Sequence, residues 1–305
     1  MDATHGAKVT ALPARRPVVK ESLVRLPRVK RTHYGRYLSG VVLIALFVLI
    51  VRAFAHGKID WEIVGEFLTA RSILSGLLQT IIMAPLAMGV GLALGLIFAL
   101  MRMSENPVAR YTAIFYMWIF RGSPQLLQLF LWFNLALIFP VIVIPGLFEI
   151  STVTVMTPFV ATLLGLGICQ SAYTAEVIRA GILSVDAGQA EAADALGMTR
   201  HQAMRRIILP QALRSIIPPV GNEFIGMVKA TSLASAIQYT EILNAAQRIY
   251  YVNNYIIELL IVATFWYLLV VTLLTIGQYF LERRMSRGFS RTESVTSLNV
   301  EDQRA

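Results

Sequence analysis

Six apolar runs, each long enough to cross a bilayer, confine this chain to the few folds a membrane permits. Hydrocarbon offers no water to backbone N–H and C=O groups. A crossing segment must satisfy those groups itself, and a run of roughly 20 apolar residues does so as an α-helix. The runs lie at about 38–54, 77–101, 124–143, 155–178, 212–237 and 256–281. Of 305 residues, 56 % are hydrophobic and 15 % charged, a balance well removed from that of a soluble domain. The expected fold is an all-α integral membrane protein with six transmembrane helices.

Punctuation within the runs predicts how they pack. Gly91 and Gly95, and again Gly165 and Gly167, are small residues that let helices approach closely; Pro85 is expected to kink the second run. Residues 111–120 are too short to span, and read as an interfacial helix or an extension of the third run. Ser123-Pro124 reads as a cap followed by proline at the first helical position. Gln128 and Asn134 should face protein rather than lipid. Pro140 and Pro145 mark a far-side loop ending near Thr154, and residues 239–255 read as a second far-side loop. Residues 56–75 suit the same surface. The fifth run carries Asn222, Glu223 and Lys229 and is interrupted by Pro218-Pro219.

The formal net charge of +9 is explained by where the charges sit. Residues 1–36 contain Lys8, Arg15, Arg16, Lys20, Arg25, Arg28, Lys30, Arg31 and Arg36 against only Asp2 and Glu21, with three prolines. Such a tail is expected to be disordered and to lie near anionic lipid. Tyr34 is its only aromatic residue, so no stacking surface for nucleic acid is present. A cytoplasmic amino terminus puts that tail, Arg102, Arg110, Arg179, Arg200, Arg205, Arg206 and the cluster Arg283, Arg284 and Arg287 inside, and leaves Arg52, Lys58, Arg71 and Arg248 outside. This asymmetry predicts both termini in the cytoplasm. The first run starts late and no small-residue cleavage site follows it, so a cleaved signal peptide is not expected. The single cysteine, Cys169, excludes an internal disulfide.

Between the fourth and fifth runs lies a polar island, residues 186–210. Asp186 can cap a helix with Gln189 three residues on, Gly197 can stop it in the left-handed conformation, and Thr199 can cap a second helix with Gln202 three residues on. Pro210 is expected to bound the element. Within the island, Glu191-Ala192-Ala193, then Gly197, then Ile207, then Leu209-Pro210 match the EAA signature of ABC importer permeases without a gap. Three further stretches, FRGSPQLLQLF (120–130), YTAEVIRAGI (173–182) and GNEFIGMVKATSLASAI (221–237), resemble the polar amino-acid branch of that family.

The resemblance covers about residues 74–288. It implies a type I (MetI-like) permease core, with residues 37–73 adding an N-terminal transmembrane helix and a far-side segment, and 289–305 a cytoplasmic C-terminal tail. It implies partners: ABC ATPase subunits, a second permease subunit (identical or not), a soluble substrate-binding protein and the lipid membrane. It assigns Glu191, Ala192, Ala193, Gly197, Ile207, Leu209 and Pro210 to ATPase docking. ATP and Mg would bind on the ATPase partner, and the chain itself would hold no cofactor or metal.

The residues agree that this chain is no enzyme. It has no G-x-x-x-x-G-K-[ST] phosphate loop and no H-E-x-x-H helix, and no histidine stands with a Ser and an Asp in a nucleophile arrangement. Ionisable groups inside a membrane seldom face lipid and mark pathways. Gln170, Tyr173 and Thr174 share one helical face, with Glu176 nearer the cytoplasm. Asn222, Glu223 and Lys229 lie along the fifth run, so these seven residues are candidates for a solute pathway. The expected function is ATP-driven import of polar amino acids or close derivatives across a bacterial inner membrane by alternating access. An ABC permease for another small solute and an ion-coupled secondary transporter are the alternatives, and the second leaves the island without a role.

Overall fold

A computed structural model describes residues 34–144 and 148–285. The basic tail up to residue 33, Pro145 and the segment after 285, including Arg287, lie outside the described residues. The chain divides into two compact units, residues 1–57 and 58–305.

The first unit contains α1 (Tyr34–Ala55), whose apolar window Tyr37–Ala55 has no buried residue. The second unit begins with α2 (Trp61–Leu68), α3 (Arg71–Met103), α4 (Pro107–Gly122) and α5 (Gln125–Phe133). A two-stranded antiparallel hairpin, β1 (Val141–Ile144) and β2 (Phe148–Ser151), follows with Val141 opposite Ser151. Then come α6 (Thr152–Val155), α7 (Pro158–Leu183), α8 (Ala187–Ala195), α9 (Arg200–Ala203), α10 (Leu209–Ala230), α11 (Ile242–Asn253) and α12 (Ile256–Met285). Among the described residues, three helices are long and apolar enough to cross a membrane by length and composition: Tyr37–Ala55, Arg71–Met103 and Ile256–Met285.

The centre is the contact between α3 and α7, and small residues make it possible. A Cβ on Gly91 would lie 2.9 Å from Gln170 Cγ, and one on Gly95 3.0 Å from Thr174 Cβ. The backbones are therefore as near as side chains on α7 allow, as the spacing of those glycines predicts. α10 packs on α7 in turn, and α5, α11 and α12 complete the bundle. α2 is pinned at both ends by polar bonds to α12: Trp266 Nε1 donates to Leu68 O at 2.9 Å, and Asp60 N donates to Glu258 Oε1 at 3.2 Å.

Several expectations are corrected. Residues 124–143 do not form one helix. α5 ends at Asn134, whose N–H and side-chain amide both bond Phe130 O, and the β-branched Val-Ile-Val-Ile run pairs as a strand, where such residues pack well. Residues 111–120 instead belong to α4, a full 16-residue helix. Ser123 does not cap α5. It ends α4, with an extended backbone (φ −102°, ψ 144°) because the following proline disfavours the helical region. Gln128 is buried as expected and closes this break by donating to Phe120 O and Ser123 Oγ. Asn134 is exposed.

Pro210 does not end the polar island, since the chain stays helical from Arg200 to Ala230. A five-residue π turn, Met204–Ile208, absorbs the missing N–H, with Leu209 N reaching Met204 O. Nor do Pro218 and Pro219 interrupt α10, and Pro85 lies inside the continuous α3. In α10 the Pro218 carbonyl accepts a bond from Gln278 Nε2 of α12 at 2.8 Å. Residues 239–255 are mostly helix, because α11 buries Ile242, Ala245 and Ala246 against Ile73, Leu259 and Val262.

Candidate docking loop and solute groove

The polar island folds as two short helices around one bend. Asp186 Oδ1 accepts from Gly188 N at 2.8 Å and starts α8. Gln189 does not complete that cap; its side-chain carbonyl instead accepts from Gln211 Nε2 at 3.1 Å and ties α8 to the first turn of α10. α8 ends in a Schellman motif, in which Met198 N reaches Ala193 O at 3.1 Å and Gly197 N reaches Asp194 O at 2.9 Å. That geometry requires a left-handed residue, and Gly197 has φ +69°. Thr199 and Gln202 form the complete capping box of α9.

Burial divides the signature residues into anchors and a presented face. Ala193 is fully buried, Ala203 nearly so, and Ile207 half-buried. Glu191, Ala192, Gly197, Leu209 and Pro210 are exposed, and Leu196 beside the bend is 79 % exposed. A solvent-exposed ion pair, Arg200 to Glu105 at 2.9 Å, links α9 to the α3–α4 turn and adds little stability.

The candidate pathway residues divide into two groups. Glu223 on α10 faces α7, where its Oε2 accepts from Gln170 Nε2 and from Thr174 Oγ1, each at 2.9 Å. All three are thus one cluster, and both donors to the carboxylate are neutral. Gln170, Tyr173, Glu223 and Gly226 line a cavity of about 290 Å³. Tyr173 also lines a wider cavity of about 600 Å³ with Arg102, Trp118, Arg121 and Glu176. There Glu176 is paired with Arg179.

Lys229 and Asn222 stand apart. Lys229 follows Glu223 by six residues, which at 3.6 residues per turn is about 120° around the helix. It lines a separate cavity of about 240 Å³ with Ser232, Leu243 and Tyr267. Asn222 turns to α12, donating to Glu282 Oε1 at 3.3 Å.

A cation near Glu223 and Glu176 does exist, and the sequence reading passed over it. Arg121 lies with its guanidinium carbon 5.4 Å from the centre of the Tyr173 ring. The signal was a single arginine between the apolar stretches of α4 and α5, inside the FRGSP segment.

With this geometry in view, the comparisons are specific. Residues 91–287 match the family described as Binding-protein-dependent transport system inner membrane component. The chain is 40 % identical over 269 residues to the arginine transport system permease protein ArgU of Corynebacterium glutamicum, covering 87 % of this chain and 85 % of that one. It is 38 % identical over 231 residues to the L-cystine transport system permease protein TcyB of Bacillus subtilis, covering 75 % and 92 %. It resembles a solved chain described as "Crystal structure of an amino acid ABC transporter with histidines", with TM-score 0.62, 37 % identity and coverage of 70 % and 94 %. An inward-facing MetNI methionine ABC transporter structure, at TM-score 0.56 and 18 % identity over 70 % and 96 % of the two chains, shares the fold. Permeases of this kind are not enzymes; a separate ATPase subunit hydrolyses ATP, and a substrate-binding protein delivers the solute. By sequence and fold together, the chain belongs to the binding-protein-dependent transport system inner membrane components, as the multi-pass permease subunit of an ABC importer.

Proposed function

We propose that this permease carries polar amino acids, or close derivatives, into a bacterial cell by alternating access. The observation that carries the reading is the Glu223 cluster. A carboxylate held by two neutral donors faces one cavity, and the Arg121 guanidinium lies beyond Tyr173 on the neighbouring one. A free amino acid carries an ammonium and a carboxylate, and these two groups offer each a complement. Arginine and cystine as the solutes named for two relatives support the same class.

In this reading Gln170, Tyr173, Thr174, Glu176 and Glu223 line the path with Arg121. Lys229 and Asn222 serve the helices around it. Glu191, Ala192, Ala193, Gly197, Ile207, Leu209 and Pro210 make the ATPase joint, with Ala193 as its anchor and Gly197 as its bend. Six crossings are built from α1, α3, the α4–α5 relay, α7, α10 and α12. Both termini and the docking loop face the cytoplasm, the side favoured by the basic residues. Two permease subunits, identical or paired with a relative, stand on two ATPases that bind ATP and Mg. ATPase closure moves the docking loops, the helices rock, and the path opens to the binding protein.

The test is reconstitution of the complex with its binding protein and a panel of solutes. Polar amino acids should stimulate ATPase activity and be taken up. Stimulation by sugars or phosphate alone would transfer the chain to another solute class.

A further inference from the structure

Beyond the Glu223 cavity the chain changes geometry. α10 gives way to seven residues of 3₁₀ helix, Thr231–Ile237, and the segment ends at Gln238 in the left-handed region, with φ 63°. Short 3₁₀ turns often end an α-helix, but runs beyond three or four residues are uncommon. A residue other than glycine at positive φ is likewise uncommon. The cavity of about 290 Å³ is lined as far as Ala230, where this segment begins. Past it, Ala234, Ile237 and Tyr239 are buried with Met83, Leu129 and Leu166. The segment therefore begins where the lining of the cavity ends, at the end of α10 away from the docking loop.

A buried carboxylate lies just past this segment. Glu241 is fully buried. Its Oε1 accepts from Asn244 N at 2.7 Å, and its Oε2 accepts from Leu243 N at 2.8 Å and from the Tyr267 hydroxyl of α12 at 2.5 Å. Asn244 in turn donates to Ser235 O inside the 3₁₀ segment at 3.5 Å, and Tyr239 donates to Gln79 Oε1 of α3 at 3.0 Å. On the other side the Glu241 carbonyl presses on α3, so close that a Cβ on Gly76 would lie 2.8 Å from it. Asn244 Oδ1 is buried without a hydrogen-bond partner among the described residues, a cost that this arrangement carries. Directional bonds between elements are made or broken as discrete units, whereas interdigitated packing resists separation throughout.

Building on the importer reading above, we propose that Thr231–Ile237 is the gate closing the solute path opposite the docking loop, and that the Glu241–Tyr267 pair is its latch. The carboxylate keeps the gate seated by holding α11 to α12. Release of the Tyr267 bond unseats the Glu241 carboxylate, while α11 stays packed on α3 and α12, and lets the 3₁₀ segment swing from the cavity mouth.

The test uses the full complex in right-side-out vesicles, loaded or not with a non-hydrolysable ATP analogue. Gly226→Cys in a Cys169→Ser background places this chain's single thiol on the cavity wall, where a Cβ meets nothing within 4 Å among the described residues. In the parent, an impermeant maleimide added outside should react only when the analogue is present. If the analogue has no effect there, the importer reading itself fails, and the gate with it. Tyr267→Phe removes only the hydroxyl, and labelling without nucleotide should then rise roughly tenfold or more, as for loss of a hydrogen bond to a charged group. ATPase activity without the binding protein should rise by a similar factor. Gly76→Ala, which pushes the same junction from α3, should act in the same direction. Parent-like labelling in both assembled variants would overturn the gate. Loss of assembly in both would also overturn it, because the junction would then be fixed scaffold.

Discussion

Gly197 separates what the docking loop needs from its own backbone from what it needs from a partner. Its φ of +69° is costly for any other residue, but a Cβ built there meets nothing within 4 Å among the described residues. Gly197→Ala therefore adds no clash in this chain, only left-handed strain of about 1–2 kcal/mol. A cost of that size changes a local equilibrium roughly 5- to 30-fold, which a bend closed by two backbone hydrogen bonds can largely absorb. Gly197→Leu carries the same backbone cost but extends its side chain into the open space beside Leu196. If an ATPase surface occupies that space, Leu abolishes coupling while Ala reduces it by a few-fold at most. The assay compares three readouts for each variant: amount in the membrane, co-purification with the ATPase, and solute uptake. Both variants should reach the membrane at wild-type levels, and only Leu should lose the ATPase and uptake. Equal impairment by Ala and Leu would show that the backbone bend alone matters, and full uptake by Leu would remove the joint from this site.

Other outcomes follow from the same structure. Glu223→Gln keeps the shape of the Gln170–Thr174 cluster and removes its charge, so uptake should be lost while the complex assembles; normal uptake would take Glu223 off the path. Lys229→Met should leave uptake near normal, because Lys229 opens on a different cavity, and a transport defect with assembly intact would restore it to the path. Gly95→Leu overfills the α3–α7 contact, where a Cβ already lies 3.0 Å from Thr174, and should cut the amount of folded permease, since overpacking costs roughly 1–3 kcal/mol. Reporters fused after Gly188 and after Asn254 should report opposite sides of the membrane, the first cytoplasmic, and the reverse pattern would overturn the orientation.

The amino-acid order alone carried several features that depend on local chemistry. The long apolar runs declared a membrane protein because only helices and closed barrels satisfy their backbones in lipid. The bend at Gly197 and the capping box at Thr199 were legible because each lies within a few residues of chain. Gly91 and Gly95 announced a close helix contact because small residues permit little else inside a membrane. α11 was readable in principle, since Ile242, Ala245, Ala246 and Ile249 recur at helical spacing, but the absence of a long apolar run hid it. What the order could not carry was any relation between distant segments. Whether Glu223 faces Gln170 or Lys229 depends on which side of α10 meets α7. Whether Pro210, Pro218 and Pro219 break a helix depends on a π turn and on a glutamine from α12 that takes up a carbonyl. Glu241 became a buried anchor only where α3, α11 and α12 converge. These outcomes belong to the tertiary structure because a hydrogen bond or a close contact is set by distance in space, and residues dozens of positions apart acquire that distance only when the helices pack.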